Sequence, residues 1–220
     1  GKGIWSATGI SAEQEANRFD TEKEGCVLEA GLMWQKLIRT SKENGLRAEV
    51  TSFVPVGMQK LELMVVTLTN LGEENIELTP IAAIPLFARS ADNIRDHRHV
   101  TSLLHRIAVK EEGIFVTPTL TFDERGHKEN SLVYGVMGFA EDGKTAQKFH
   151  PVVEDFIGEG GSFLNPEAVR CDIKGYQPGD SVDGYEAMGG IEFAEISLAP
   201  GASATYIVQL GIGASDEELL

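Results

Sequence analysis

The stretch Asn44-Gly-Leu-Arg-Ala-Glu-Val-Thr-Ser-Phe-Val-Pro-Val-Gly57 decides the fold. Leu46, Ala48, Val50 and Val54 alternate with Arg47, Glu49, Thr51 and Phe53 before Pro55 and Gly57 break the run. Strand side chains point to opposite faces in turn, so the pattern predicts a strand buried on one side. Leu61 to Leu68 follows as a strand apolar on both faces, and Asn70-Leu-Gly-Glu-Glu-Asn75 is a polar turn. Ile76, Leu78 and Ile81 to Leu86 read as its returning strand. Upstream, Val27 to Thr40 reads as a strand, joined to the quoted one through Asn44-Gly45, a pair suited to the positive φ of hairpin turns.

Period two continues along the chain. Ile107 to Lys110, Ile114 to Phe122 and Leu132 to Phe139 are further strands, and Ile191 to Leu198 with Thr205 to Ile212 reads as a hairpin across Ala199-Pro-Gly-Ala202. Tyr206, Val208, Leu210 and Ile212 are expected on one buried face. Many strands, short turns and almost no helical period predict an all-β chain built as an antiparallel sandwich.

Composition bounds the function. A 42% hydrophobic content over 220 residues is enough for a real core. Nineteen basic against thirty-four acidic residues give a net charge of −15, which repels nucleic acid and anionic membrane surfaces. No run approaches the roughly 20 apolar residues of a membrane span, and no basic and apolar leader opens the chain. Cys26 and Cys171 form no disulfide framework, so a cytoplasmic location is expected, with both thiols read as buried small hydrophobes. The opening Gly1-Lys2-Gly3 reads as a processed or excised end. Ser215-Asp-Glu-Glu218 has capping-box spacing, and residues 215–220 are read as the start of a linker helix after a sandwich of residues 1–214.

One segment departs from the acidic background. Arg89 to Arg106 carries Arg89, Arg95, Arg98 and Arg106 against Asp92 and Asp96, and three of the five histidines, His97, His99 and His105. Guanidinium forks and imidazoles suit phosphate, carboxylate or sugar hydroxyls. Arg95, His97, Arg98, His99 and Arg106 are therefore the candidate substrate-binding residues. A surface connection paired with nearby carboxylates is the plainer reading, and His97 with His99 lacks the further ligands of a metal site. The glycines of Phe156 to Val169 lack the Lys-Ser or Lys-Thr of a phosphate loop, which leaves a loop pinned by Phe156, Phe163 and Leu164. Tyr176, Tyr185 and Met188 are either a sugar-stacking platform or loop anchors. No catalytic motif is present locally, so no catalytic residue is assigned.

Asn44 to Pro55, Leu61 to Asn70, Phe156-Ile-Gly to Pro166-Glu-Ala-Val169 and Glu195-Ile-Ser-Leu-Ala-Pro-Gly201 to Gly211 together resemble the N-terminal domain of the family 94 glycoside phosphorylases. The similarity runs in order along nearly the whole chain. Arg95-Asp-His-Arg-His-Val-Thr-Ser-Leu-Leu-His-Arg106 is most similar to the 1,2-β-oligoglucan phosphorylase branch. The resemblance implies a super-sandwich of the galactose-mutarotase-like kind, without its first strands. It also implies a helical linker leading to an (α/α)6 barrel that carries the general acid.

By that resemblance the chain alone is inactive. The whole enzyme would act on β-glucan oligosaccharide with inorganic phosphate as co-substrate, without a cofactor or metal. The sandwich would contribute to a homodimer or to the mouth of the active site. Two other readings stay open: a stand-alone mutarotase-like epimerase using a histidine of the basic segment with a glutamate from another strand, and a carbohydrate-binding module.

Overall fold

The computed structural model describes residues 3–88, 101–123 and 126–220. Arg95, His97, Arg98 and His99 lie outside them. Four strands follow one another as hairpins: β1 (Glu24–Gly31), β2 (Trp34–Ser41), β3 (Leu46–Phe53) and β4 (Leu61–Asn70). The chain then forms β5 (Ile76–Leu78) and β6 (Ile81–Leu86), followed by β7 (His105–Val109), β8 (Gly113–Pro118), β9 (Leu120–Asp123), β10 (Gly126–Glu129) and β11 (Val133–Ala140). β12 (Lys148–Val152), β13 (Ser181–Asp183), β14 (Ala187–Glu192), β15 (Ile196–Leu198) and β16 (Ser203–Gly213) complete the strands. Among the described residues lie the short helices α1 (Ala12–Ala16), α2 (Val153–Ile157) and α3 (Glu167–Arg170).

Nine strands form one antiparallel sheet in the order β1-β2-β3-β4-β16-β11-β8-β7-β13. A second sheet, β12-β14-β6, lies against its inner face, which makes the predicted all-β sandwich. In β3 the predicted alternation is seen directly: Leu46, Ala48, Val50 and Ser52 are buried while Arg47, Glu49, Thr51 and Phe53 are half-buried. The core between the sheets gathers Ile107, Ile114, Val116, Val136, Phe149, Ile191, Tyr206 and Val208. Full burial of a large aliphatic or aromatic side chain contributes about 1.5–3 kcal/mol, so this interface dominates the stability. Leu210 joins it half-buried, whereas Ile212 is 37% exposed, beyond the second sheet's cover.

The second sheet is covered on its far side by α2 and α3, where Phe156, Val153, Ala168 and Met188 pack together. Phe156 and Phe163 meet at 6.0 Å, so the two aromatic residues pin this region as expected. Leu164 is 39% exposed and is held instead by its backbone, its carbonyl accepting from Ala12 N at 2.8 Å. Residues 3–17 are tied to the same edge by a network that periodicity does not reveal. Ser11 and Gln14 form a capping box on α1, Gln14 Nε2 donates to Ser6 O and Glu24, and Glu24 pairs with Arg39 at 2.7 Å.

Several expectations change in detail. Val27 to Thr40 is two strands, turning at Leu32-Met33, and Ile114 to Phe122 divides at Thr119. Ile76 to Leu86 does not return along β4: Pro80 divides it, β5 pairs with β15, and β6 pairs with β14 in the other sheet. Ile191 to Leu198 likewise changes sheets rather than forming a hairpin with β16. The cysteines are exposed free thiols, not buried hydrophobes, because Cys26 sits on the edge strand β1 and Cys171 just after α3.

Register aligns the two ends of the large sheet. At one end, Ser41, Leu46 and Asn70 share a row, and the turns at 42–45, 70–75 and 199–202 lie there. At the other, Gly31, Trp34, Phe53, Leu63, Gln209 and Met137 share a row beside the turns at 32–33 and 54–60. β16 ends on this side, with Ile212 N donating to Lys60 O at 2.9 Å. After it, Ser215 Oγ accepts from Glu218 N at 3.3 Å, and Leu220 N donates to Asp216 O at 3.2 Å. The cap bond expected of Ser215 is thus made, in a turn that doubles back over the outer face.

That return seats Leu219, 7% exposed, against Phe115 and Met137. Gly135 and Gly211 face each other across β11 and β16, and Gly213 lies next along β16. A Cβ at Gly211 would lie 2.8 Å from a Leu219 methyl, so the leucine fills a trough that only glycine leaves open. Lys110 pairs with Asp216 and Gln209 Nε2 donates to Leu219 O at 3.1 Å, which completes a clasp on residues 214–220.

Candidate functional site

The basic segment joins β6 to β7, and its described root surrounds a cavity of about 250 Å³. Pro85, Leu86 and Phe87 form one wall, Thr101, Ser102 and His105 the next, and Glu186 with Ala187 the third. Val153 and Phe163 close it from the α2 side. β6 and β14 are neighbours, which sets Leu86 opposite Ala187, while β7 brings His105 from the other sheet. The cavity therefore sits where the two sheets meet. His105 is 3% exposed and its Nδ1 lies 3.0 Å from Tyr185 O, which fixes the imidazole plane.

Arg106, the one described member of the predicted set, points the other way. Alternation along β7 buries His105 and Ile107 and turns Arg106 to solvent. Its Nη1 donates to Leu103 O at 3.2 Å and His105 O at 2.9 Å, and its Nε lies 3.6 Å from Asp183 on the edge strand β13. Arg106 thus braces the root of the segment from outside, and is not part of the cavity wall.

A larger open cleft of about 750 Å³ lies between α2, α3 and the loop before β13. Glu154, Asp155, Glu159, Glu167 and Asp180 line it with Lys174 alone for balance, a field that repels phosphate. Tyr176 donates to Asp155 at 2.9 Å, and burial together with this carboxylate pushes its hydroxyl up to about 12. The three-residue stacking platform does not form: Met188 is fully buried under α2, Tyr176 is tied to Asp155, and Tyr185 is exposed. Among the described residues no group of three metal-ligating side chains comes together.

Period-two reading did not pick out a further polar group. His150, 1% exposed, lies 3.0 Å from Glu192, and Lys148 Nζ reaches the same carboxylate at 3.3 Å and Asp172 beside it. β12 and β14 set Lys148 opposite Glu192, so the cluster is a product of register. The ring of Phe156, its centroid 5.6 Å from that of the imidazole in an edge-on arrangement, covers His150, which makes the imidazole a buried brace and not a base open to substrate. The run Lys148-Phe-His-Pro-Val152 carries a strand signal, but its partner is 42 residues away.

Among solved structures, the chain is similar to a polysaccharide lyase at 11% identity and TM-score 0.44, covering 83% of this chain and 22% of that one. It is similar to a heparinase III gene product at 11% and 0.38, covering 88% and 22%, and to a candidate aldose 1-epimerase of Escherichia coli K12 at 13% and 0.40, covering 86% and 68%. The chain thus spans about a fifth of the first two, and likenesses this faint say nothing of activity. No curated protein matches. No described helix is long and apolar enough to cross a membrane. The model of the glycosyl hydrolase 94 supersandwich domain matches residues 34–220, from the first residue of β2 through the Leu219 clasp, and the chain therefore belongs to that family.

Proposed function

We propose that this chain is the non-catalytic sandwich of an inverting β-glucan phosphorylase, with the segment from Arg89 to Arg106 serving the mouth of the active site or the assembly of the enzyme. The family match over 34–220 is the observation that carries the reading. In the whole enzyme, a phosphate oxygen forms the new bond to the anomeric carbon as the glycosidic C–O bond breaks, and a general acid gives its proton to the leaving oxygen. The cavity at the segment's root supports a role for the segment, because it anchors both ends of the cationic stretch at the junction of the sheets. The similarity of Arg95 to Arg106 to the 1,2-β-oligoglucan branch makes β-1,2-linked glucans the first substrates to try.

The direct test is phosphate-dependent release of glucose 1-phosphate from β-1,2- and β-1,4-linked oligoglucosides by the whole enzyme. Activity is expected there and not from residues 1–220 alone. Arg98→Ala with His99→Ala in the whole enzyme should weaken glucan or phosphate kinetics or assembly; unchanged kinetics and assembly would remove the segment from the reading.

A second reading rests on one observation: His105 of β7 and Glu186, in the loop just before β14, line the same cavity, which is the pairing a mutarotase would use as acid and base. Polarimetry on glucose and galactose decides it. A rate of mutarotation equal to buffer alone ends that reading.

A further inference from the structure

The cavity at the junction of the sheets is amphipathic, unlike the acidic cleft. Leu86, Phe87 and Phe163 supply apolar walls, while Thr101, Ser102, His105 and Glu186 bring hydroxyl, imidazole and carboxyl groups to the same space. A mostly apolar pocket with a few converging polar groups is the usual form of a small-molecule site. At about 250 Å³ it falls just below the roughly 300–1,000 Å³ of sites for drug-sized ligands, so it has room for one ring and not for a chain of them.

Its walls are set by backbone bonds. Val153 N donates to Glu186 O at 2.9 Å, Gly184 N to His105 O at 3.0 Å and Leu104 N to Thr101 O at 3.1 Å. Next to Phe87, buried Ala88 takes φ 45°, a conformation its side chain disfavours. Phe87 itself is 53% exposed, so it stands at the rim with part of its ring on the cavity. Walls held in place this way spare a ligand the cost of ordering them.

The chemistry of the wall selects the ligand. Tyr185 O can only accept, so the neutral His105 ring carries its hydrogen on Nδ1 and Nε2 is the accepting nitrogen. Glu186 adds carboxylate acceptors, and Thr101 and Ser102 add hydroxyls that both donate and accept. Such a set matches a molecule with several hydroxyl groups. The Glu186 charge opposes phosphate and other anions. A metal ion would need further ligands, and among the described residues no group of three metal-ligating side chains comes together. The phenylalanine rings call for apolar C–H surface, which a pyranose presents on its ring faces while its hydroxyls point outward from the rim.

We propose that this cavity is a binding site for a single neutral pyranose, held at its hydroxyls by His105 and Glu186 and at its C–H face by Phe87 and Phe163. The site goes beyond the phosphorylase reading, since it lies within the sandwich and uses only residues of this chain. It differs from the mutarotase reading in requiring binding and no proton transfer. Phe87 and Thr101 flank the basic segment in sequence, so a sugar that touches both joins the two roots of that segment.

Photoaffinity labelling with a diazirine derivative of glucose, mapped by peptide mass spectrometry, tests the site in the whole enzyme and in the 220-residue chain. Label is expected in both on peptides that hold residues 85–87, 101–105 and 186–187. Unmodified glucose should displace it with a Kd on the order of 1 mM, the range open to a ligand this small, and inorganic phosphate should not. Glu186→Gln keeps the shape, removes the charge and should raise that Kd about tenfold, and Ser102→Ala should raise it about threefold. Cooperative urea unfolding checks the fold of each variant, and either folded variant decides the question. No saturable label on these peptides, or a Kd that a folded variant leaves unchanged, would overturn the proposal. Phosphorolysis and polarimetry on the same preparations keep the readings apart. A labelled cavity without phosphorolysis sinks the phosphorylase reading alone, a labelled cavity without faster mutarotation ends the mutarotase reading alone, and an active enzyme with an unlabelled cavity sinks the sugar site alone.

Discussion

The two ends of the nine-stranded sheet solve the same problem, reversing the chain between antiparallel strands, with opposite chemistry. At the polar end each turn closes on itself. Ser41 Oγ accepts from Asn44 N and Nδ2, Asn70 Nδ2 donates to Glu74 O and Leu198 O, and Asn70 Oδ1 accepts from Gly72 N. At the apolar end, Met33 occupies a left-handed position and the 54–60 turn carries Val56 and Met58 into solvent. One end is optimised for the domain by itself, and the other gives up local stability for surface.

Asn70 gives the sharpest way to break that contrast. It is fully buried and its side chain joins three backbone groups, so Asn70→Ala is expected to cost about 3 kcal/mol in urea unfolding. Val56→Ser at the other end should stay within about 0.5 kcal/mol. Equal losses at both positions would show that the apolar end matters to the isolated fold after all.

Next in size is the clasp. Leu219→Ala empties the glycine trough and should cost about 2 kcal/mol of local stability. Amide exchange would show residues 214–220 losing protection while β16 keeps it. Gly211→Ala, which sets a Cβ against the same leucine, should give the same signature.

A smaller pair of changes compares the turns directly. Gly45 has φ 58°, so Gly45→Ala should destabilise by about 1 kcal/mol. Met33→Gly relieves the same backbone conformation and should raise the denaturation midpoint, a gain below about 1 kcal/mol. A loss on removing glycine at 45 together with a gain on introducing it at 33 would confirm that the polar turn already carries the residue its backbone favours and the apolar turn does not.

The smallest effect is in pH. The Lys110 ammonium holds the Asp216 carboxyl below its ordinary range. A depressed carboxyl stabilises the fold above its unfolded value, near about 4, and that contribution is lost as pH falls through the lower folded value. Protection factors of residues 214–220 should therefore be flat from neutral pH to about 5 and fall only in stronger acid. A loss near pH 6 would mean that another group holds the clasp.

Much of this architecture is legible in the sequence where a strand is buried on one face, as Leu46 to Phe53 shows. The changes of sheet at Pro80 and after Glu192 were not legible, because an apolar run has the same period whichever sheet receives it. The basic segment is visible as composition, but the cavity at its root is not. Pro85, His105, Phe163 and Glu186 are far apart in the chain and meet only through the packing of two sheets. Arg106 shows the limit at a single residue: its charge is visible in the sequence, but its partners, the Leu103 and His105 carbonyls and Asp183 on a neighbouring strand, are set by the fold.

The placement of β16 has a mechanical consequence. The strand is the fifth of nine and carries eleven residues, bonded to β4 on one side and β11 on the other. A pull applied at Leu220 would load both ladders in shear along their length, where an edge strand such as β13 would peel one bond at a time. Leu220 thus follows a strand held on both sides, and the leucine in its trough is the first element such a pull would load.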